Sequence, residues 1–100
     1  MYLLQGKFTT KPSQSDTLAN ILLEASALMT NAQGCKLYVI SLAENDANAV
    51  YVTEIWESKS DHDNSLHIAG VKELIAQAIP LLAEPPSKGQ ELKVLGGIGV

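Results

Sequence analysis

The chain has 100 residues and a net charge of −4, with 46% hydrophobic and only 18% charged residues. Its seven Lys and Arg residues are scattered, so no basic stripe can neutralise a phosphate backbone, and nucleic acid is excluded as an expected partner. No apolar run approaches the roughly 20 residues of a membrane span, and the N-terminus lacks the pattern of a signal peptide. With Cys35 as the single cysteine, we expect a cytoplasmic protein with one domain over residues 1–100.

The first part of the chain predicts a strand followed by a long helix. Residues 2–10 alternate between two faces, as a β-strand does, and Pro12 ends the pattern. Residues 15–31 carry apolar side chains at helical spacing, and Ser13 or Ser15 can cap this helix. One face of the predicted strand consists of Tyr2, Leu4, Gly6 and Phe8.

The middle of the chain predicts an antiparallel hairpin. Residues 35–42 and 49–57 are rich in β-branched, aromatic and aliphatic residues, and a short polar turn at 43–48 joins them. Both strands are apolar on both faces, which is unusual in an antiparallel sheet. We therefore expect helices to cover one face of the sheet and a further element to cover the other.

The remainder predicts a broken helix and a last strand. A helical region extends over residues 60–82, but Gly70 and Pro80 interrupt it. Residues 91–95 form the last predicted strand. The resulting β-α-β-β-α-β order predicts an α+β, ferredoxin-like sandwich with both helices on one face of the sheet. The apolar opposite face predicts a homodimer in which two sheets form a dimeric α+β barrel.

The junction after the third strand is the most informative part of the sequence. A strand rich in β-branched and aromatic residues ends at Trp56, and Ser58 offers an N-cap oxygen to the helix that follows, with Asp61 three residues later. His62 lies in the first turns of that helix. Because loops and element ends carry much of protein chemistry, we expect a ligand cleft beneath this helix start.

These features resemble the antibiotic biosynthesis monooxygenase family, which includes quinol monooxygenases. The likeness extends over nearly the whole chain and is carried by the strand order and by Glu-Ile-Trp-Glu-Ser at 54–58. The ending Pro-Leu-Leu-Ala-Glu-Pro-Pro at 80–86 is similar to the family's usual Pro-Leu-Leu-Ala-Gly-Pro-Pro. The resemblance implies a cofactor-independent monooxygenase of a small aromatic or quinol substrate. In that chemistry the protein deprotonates the substrate, and the resulting anion itself reduces dioxygen.

The chain departs from the family at its histidines. Many members carry two histidines in the second helix, at positions that correspond to Ser65 and Gly70 here, whereas this chain has His62 and His67. Haem-degrading relatives of the fold use an asparagine, a tryptophan and a histidine. The corresponding residues here are Gly6, Ser65 and Ile75. We therefore expect no haem and a colourless protein.

Two side chains are candidates for catalysis. A histidine side chain can exchange a proton at neutral pH, so His62 is a candidate to take a proton from a phenol, although a hydrogen bond to Asp61 or solvent is the simpler role. Glu54 lies on an apolar strand face, where an unpaired charge is costly.

Aromatic rings can stack on a planar substrate, although a lone tryptophan on a central strand also suits the core. The predicted substrate-binding residues are Trp56, Tyr38, Tyr51, Asn64 and Ser65.

Other chemistries have weaker support in the sequence. The spacing of His62 and His67 suits two metal ligands poorly, so we predict no metal site. No glycine-rich loop opens a helix after a strand, so no dinucleotide site is expected. A non-catalytic dimer that binds ligand, or acts in stress, remains the alternative function, because fold alone does not settle activity.

Overall fold

A four-stranded antiparallel sheet with helices on one face forms the framework of the protein. The computed structural model describes residues 1–87 and 89–100. The strands lie in the order β2-β3-β1-β4. The elements are β1 (Tyr2–Thr9), α1 (Ser15–Leu28), β2 (Cys35–Leu42), β3 (Ala49–Trp56), α2 (Lys59–Ser65), α3 (Val71–Ala78) and β4 (Gln90–Lys93), with short 3-10 turns at Met29–Asn31 and Ile79–Leu81. This arrangement confirms the predicted ferredoxin-like α+β fold.

The β2–β3 hairpin has nearly the predicted bounds, because its turn chemistry is local. The backbone N–H of Ala43 donates to the carbonyl of Ala49 at 3.1 Å and closes the turn. Within it, the Asp46 carboxylate accepts from the backbone N–H of Asn48 at 2.9 Å. In the sheet, β3 lies between its hairpin partner β2 and the first strand, β1.

The ends of α1 differ from the prediction. Gln14, rather than Ser13 or Ser15, occupies the N-cap position, and its side chain makes no capping hydrogen bond. Ser15 is already the first helical residue. The α-helix ends at Leu28, and the chain tightens into a 3-10 turn up to Asn31, as helix ends often do.

β4 begins one residue earlier and ends two residues earlier than predicted. Its pairing with β1 runs from Gln90 opposite Gln5 to Lys93 opposite Tyr2. β1 begins at Tyr2, and beyond it a single backbone hydrogen bond remains, from the N–H of Val94 to the carbonyl of Met1 at 3.0 Å, so the pairing ends before Leu95. At the other end, Gly89 lies directly against the β1 backbone, where a Cβ would overlap the carbonyl of Gln5.

The junction from β3 into α2 is fixed by two local interactions. The hydroxyl of Ser58 accepts from the backbone N–H of Asp61 at 3.2 Å, which confirms the predicted N-cap. The carbonyl of Gly34 accepts from the backbone N–H of Glu57 at 2.8 Å. The Asp61 side chain lies over Gly34, so the start of α2 is held against the start of β2.

The buried core lies between the sheet and the helices. Trp56 is completely buried and packs in a cluster with Met29 and Val71. The opposite face of the sheet is less covered, since Val39 and Leu92 are 43% and 49% exposed. Among the residues that the structure describes, none of the helices combines the length and apolar character needed to cross a bilayer.

Candidate functional site

A cavity of 420 Å³ lies between the sheet and the helices. Its floor includes the helix-facing side of β1, and its roof includes α1 and α3. Most of the lining is aliphatic, with a few polar side chains from β3, α2 and β4. This is the usual composition of a small-molecule site, in which a few polar groups orient an otherwise apolar ligand.

Glu54 provides a buried carboxylate in the cavity wall. The residue is 8% exposed, and its Oε1 accepts a hydrogen bond from the indole N–H of Trp56 at 3.0 Å. Burial raises the pKa of Glu54, because desolvation disfavours the charged form, while the Trp56 hydrogen bond and the charge of His62 oppose that rise. A carboxyl group with a raised pKa is better suited to exchanging protons near neutral pH than an exposed one.

His62 faces the same part of the cavity from α2. Its Nδ1 lies 2.9 Å from Oδ1 of Asp63, and its Nε2 lies 3.8 Å from Oε1 of Glu54. When Nδ1 carries the proton and donates to Asp63, Nε2 is left as the acceptor on the cavity side. The imidazole ring packs edge-on to Trp56, with ring centres 6.0 Å apart, and is tilted against Tyr2 at 5.9 Å.

Tyr38 contributes a hydroxyl to the cavity from β2. It lies opposite Glu54 in the β2–β3 pairing. Among the described residues the hydroxyl has no hydrogen-bond partner, although the side chain lines the cavity. Burial raises the pKa of Tyr38 above its usual value, and the nearby carboxylate of Glu54 acts in the same direction. The hydroxyl therefore stays protonated and can donate a hydrogen bond to a ligand oxygen.

A second polar cluster borders the same end of the cavity. The Tyr2 hydroxyl donates to Oε2 of Glu91 at 2.9 Å, and the ammonium group of Lys59 lies 3.3 Å from the same oxygen. Burial, followed by the Glu91 hydrogen bond, raises the pKa of Tyr2 to about 12. This cluster joins the first strand, the last strand and α2 around the polar end of the cavity.

The predicted site residues divide into two groups. His62, Glu54, Tyr38 and Ser65 line the cavity, although the Ser65 hydroxyl is already engaged with the carbonyl of His62 at 2.5 Å. The other group lies outside the lining and consists of Trp56, Tyr51 and Asn64.

Each residue outside the lining has a physical reason for its position. Trp56 is fully buried, and it acts on the cavity through its hydrogen bond to Glu54. Tyr51 alternates with Val50 and Val52 along β3 and therefore faces the opposite side of the sheet from Tyr38. Asn64 is exposed on α2. The structure therefore places Tyr51 and Asn64 outside the lining of this cavity.

Sequence reasoning missed several residues of the polar end. The alternation of Tyr2 with Leu4 predicts its strand face correctly, but it does not show that the Tyr2 hydroxyl belongs to the polar end of the cavity. Lys59 and Glu91 meet only through the pairing of β4 with β1, which no local pattern shows.

His67 is exposed and borders a separate shallow hollow. In the described part of the chain, no group of three or more His, Cys, Asp or Glu side chains is arranged to hold a metal ion.

Solved structures include close matches to this fold. A protein of Chloroflexus aurantiacus J-10-fl, named after antibiotic biosynthesis monooxygenase, is 34% identical, with a TM-score of 0.85 over 96% of this chain and 94% of that one. A Nitrosomonas europaea protein named after the same family has a TM-score of 0.87 at 15% identity, over 94% and 89% of the two chains. A Caulobacter crescentus CB15 protein has a TM-score of 0.85 at 17% identity, over 95% and 90%. The last two likenesses show the fold alone.

The family is established by the sequence itself. No functionally curated protein matches the chain. The family model described as antibiotic biosynthesis monooxygenase matches residues 1–77, which include β1, the hairpin and the helix that carries His62. The fold and the Chloroflexus aurantiacus relative agree with that match. The chain therefore belongs to the antibiotic biosynthesis monooxygenase family.

Proposed function

We propose that the protein is a cofactor-independent monooxygenase of a hydroquinone or a similar electron-rich aromatic diol. One observation carries the proposal: His62 and Glu54 face each other across 3.8 Å in the wall of an apolar cavity. An apolar site strengthens electrostatic interactions and concentrates a planar aromatic ligand. A base in that wall is what the activation of a phenol requires.

The first step assigned to the site is proton transfer. Nε2 of His62 accepts the proton of a substrate hydroxyl, while the Nδ1–H donates to Asp63 and keeps the imidazole in the required tautomer. The Glu54 carboxylate stabilises the imidazolium that forms, and Trp56 holds that carboxylate in place. The Tyr38 hydroxyl donates to the developing oxyanion, as a preorganised donor in a dry site does.

The remaining steps balance without a further redox partner. The substrate anion passes one electron to dioxygen, and the resulting radical and superoxide combine as a peroxide anion on a ring carbon. His62 returns its proton to this anion, which gives the hydroperoxide. Loss of water breaks the O–O bond and leaves a carbonyl, which tautomerises to the hydroxyquinone. One hydroquinone and one dioxygen thus give one hydroxyquinone and one water, and the four electrons lost by the ring reduce the dioxygen.

Oxygen consumption with a panel of hydroquinones tests the proposal. We expect His62→Ala to lower kcat by about 100-fold or more, the usual contribution of a general base. His67→Ala is the matched control, since His67 is exposed and borders a different hollow. Thermal unfolding of both variants checks that the fold is intact, with changes of about 1 kcal/mol expected for residues outside the core.

Two outcomes would overturn this function. Unchanged turnover in folded His62→Ala would remove the histidine from the chemistry. Hydroquinone binding without oxygen uptake in the wild-type protein would instead favour the non-catalytic ligand-binding role.

A further inference from the structure

The middle of the cavity floor has no side chain. Leu4, Gly6 and Phe8 all line the cavity from the helix-facing side of β1, and Gly6 is the position between the other two. A Cβ placed on Gly6 would meet no heavy atom within 4 Å. Glycine weakens a strand, so its presence in a strand interior often marks the close approach of a ligand or another backbone. At Gly6 the space on the helix-facing side is open.

The two ends of the cavity differ in polarity. Glu54 and Glu91 both pair with Leu4, at one end of β1, and His62 packs against Tyr2 at the same end. At the other end, Phe8 pairs with Val50. The cavity wall carries further aliphatic side chains in its lining, among them Ile21, Ile79 and Leu82.

The distance between these ends exceeds the length of one aromatic ring. Tyr2 and Phe8 are six residues apart in a continuous strand. At roughly 3.3 Å per residue, the floor between them is about 20 Å long. A hydroxylated ring held at His62 and Glu54 therefore leaves the region from Gly6 to Phe8 unoccupied.

We propose that the ligand is an elongated amphipathic molecule, and that Gly6 determines this specificity. The hydroxylated ring lies at the polar end, and an alkyl chain or fused apolar ring passes over Gly6 and ends beside Phe8. Only the identity of the hydroxylated head rests on the proposed function. The length and apolar character of the remainder follow from the floor of the cavity.

Binding of hydroquinones with methyl, butyl and octyl chains tests this inference. Trp56 is the single tryptophan, and its ring lies 6.0 Å from that of His62, so its fluorescence reports occupancy of the polar end. Measurements without oxygen separate binding from turnover. In the wild-type protein, we expect Kd to fall with chain length, by up to about fourfold for each added methylene that becomes buried.

Gly6→Val should divide the cavity at its middle. We expect the methyl compound to keep its Kd within about threefold, whereas the gain in affinity from the butyl and octyl chains is lost. Gly6→Ala is a smaller version of the same change and serves if valine impairs folding. Lys7→Val is the matched control, because it adds the same side chain to an exposed position on the opposite face of β1.

The results separate this inference from the proposed function. A Kd that is independent of chain length in the wild-type protein would overturn the elongated ligand. If folded Gly6→Val and Gly6→Ala lose affinity equally for the short and the long compounds, the role of Gly6 is overturned. Chain-length dependence that is lost in Gly6→Val, without any oxygen uptake, would support the inference and contradict the monooxygenase.

Discussion

The indole N–H of Trp56 donates a 3.0 Å hydrogen bond to Oε1 of Glu54, two residues earlier on the same face of β3. Both residues are buried. A buried carboxylate without a partner would be strongly unfavourable, so this donor explains how an acidic residue is tolerated on the central strand. The bond lowers the pKa of Glu54, whereas burial raises it more strongly. Trp56 therefore tunes a cavity carboxylate although it does not line the cavity.

Trp56→Phe should raise the pKa of Glu54 further, because phenylalanine keeps most of the ring but removes the N–H donor. The measurement is a carbon-13 NMR titration of labelled glutamate side chains. We expect a stability loss of about 1–3 kcal/mol, the cost of leaving a buried polar group without its partner. Tyr51→Phe, on the opposite face of the same strand, should leave the Glu54 titration unchanged. An unaltered titration in Trp56→Phe would contradict the tuning role.

Glu54→Gln should change how stability depends on pH. In the unfolded chain, the Glu54 carboxyl group loses its proton as the pH rises above the ordinary glutamate pKa of about 4.3. In the folded protein the pKa of Glu54 is raised, so the group keeps its proton to a higher pH. The wild-type free energy of unfolding then falls as pH rises through that interval. The variant lacks this loss, so its stability relative to wild type should increase with pH and then level off.

Denaturant unfolding at a series of pH values measures the Glu54 effect. Glu24→Gln, on an exposed position of α1, is the control and should show no such increase. The pH series should run from roughly 4 to 8, the interval in which raised glutamate pKa values are seen. A constant difference in stability between Glu54→Gln and wild type over this interval would contradict the prediction.

Gly34→Ala should destabilise the junction between β2 and α2. Gly34 has φ of 79°, and a Cβ there would overlap the carboxylate of Asp61. The backbone conformation alone costs a residue with a Cβ about 1–2 kcal/mol. In an Asp61→Ala background the carboxylate is gone and only the Cβ of residue 61 remains, 2.9 Å from the new Cβ, so Gly34→Ala should cost less than in the wild-type background. Chemical denaturation of the double-mutant cycle measures this difference. Equal costs in both backgrounds would show that Asp61 moves aside freely.

The outer sheet face should associate with that of a second copy. Val39 and Leu92 expose 43% and 49% of their surface there. Sedimentation at micromolar concentration should give about twice the 10.7 kDa chain mass. Val39→Lys should shift the protein to the monomer, because it places a charge in the apolar interface. Leu23→Lys, on an exposed position of α1, should leave the mass unchanged. A wild-type monomer would contradict the barrel.

Local signals accounted for most of the fold. The turn residues at 43–48 and the Ser58 cap act over a few residues, so the hairpin and the start of α2 could be predicted. The side of the sheet on which Tyr51 lies was also available, since Val52 and Glu54 alternate with it on β3. This alternation puts Tyr51 on the face opposite Glu54 and Tyr38.

Part of the site depends on contacts that no local pattern reveals. Glu91 reaches Tyr2 only because β4 pairs with β1 in a register set far along the chain. Asp63 orients His62 although neighbouring residues on a helix do not normally face each other. The short length of α2 and its position over Tyr2 and Trp56 decide this geometry.

Gly6 and Gly89 meet at the same place in the sheet, yet they would tolerate substitution in opposite ways. At position 89 any Cβ overlaps the carbonyl of Gln5 and the Cα of Gly6, so a larger residue has to displace the edge strand. At position 6 the space is open. A mutational scan that scores folding alone should therefore accept several residues at position 6 and only glycine at 89. A scan that scores ligand binding should reject substitutions at both, which would distinguish a glycine that fits a backbone from one that makes room for a ligand.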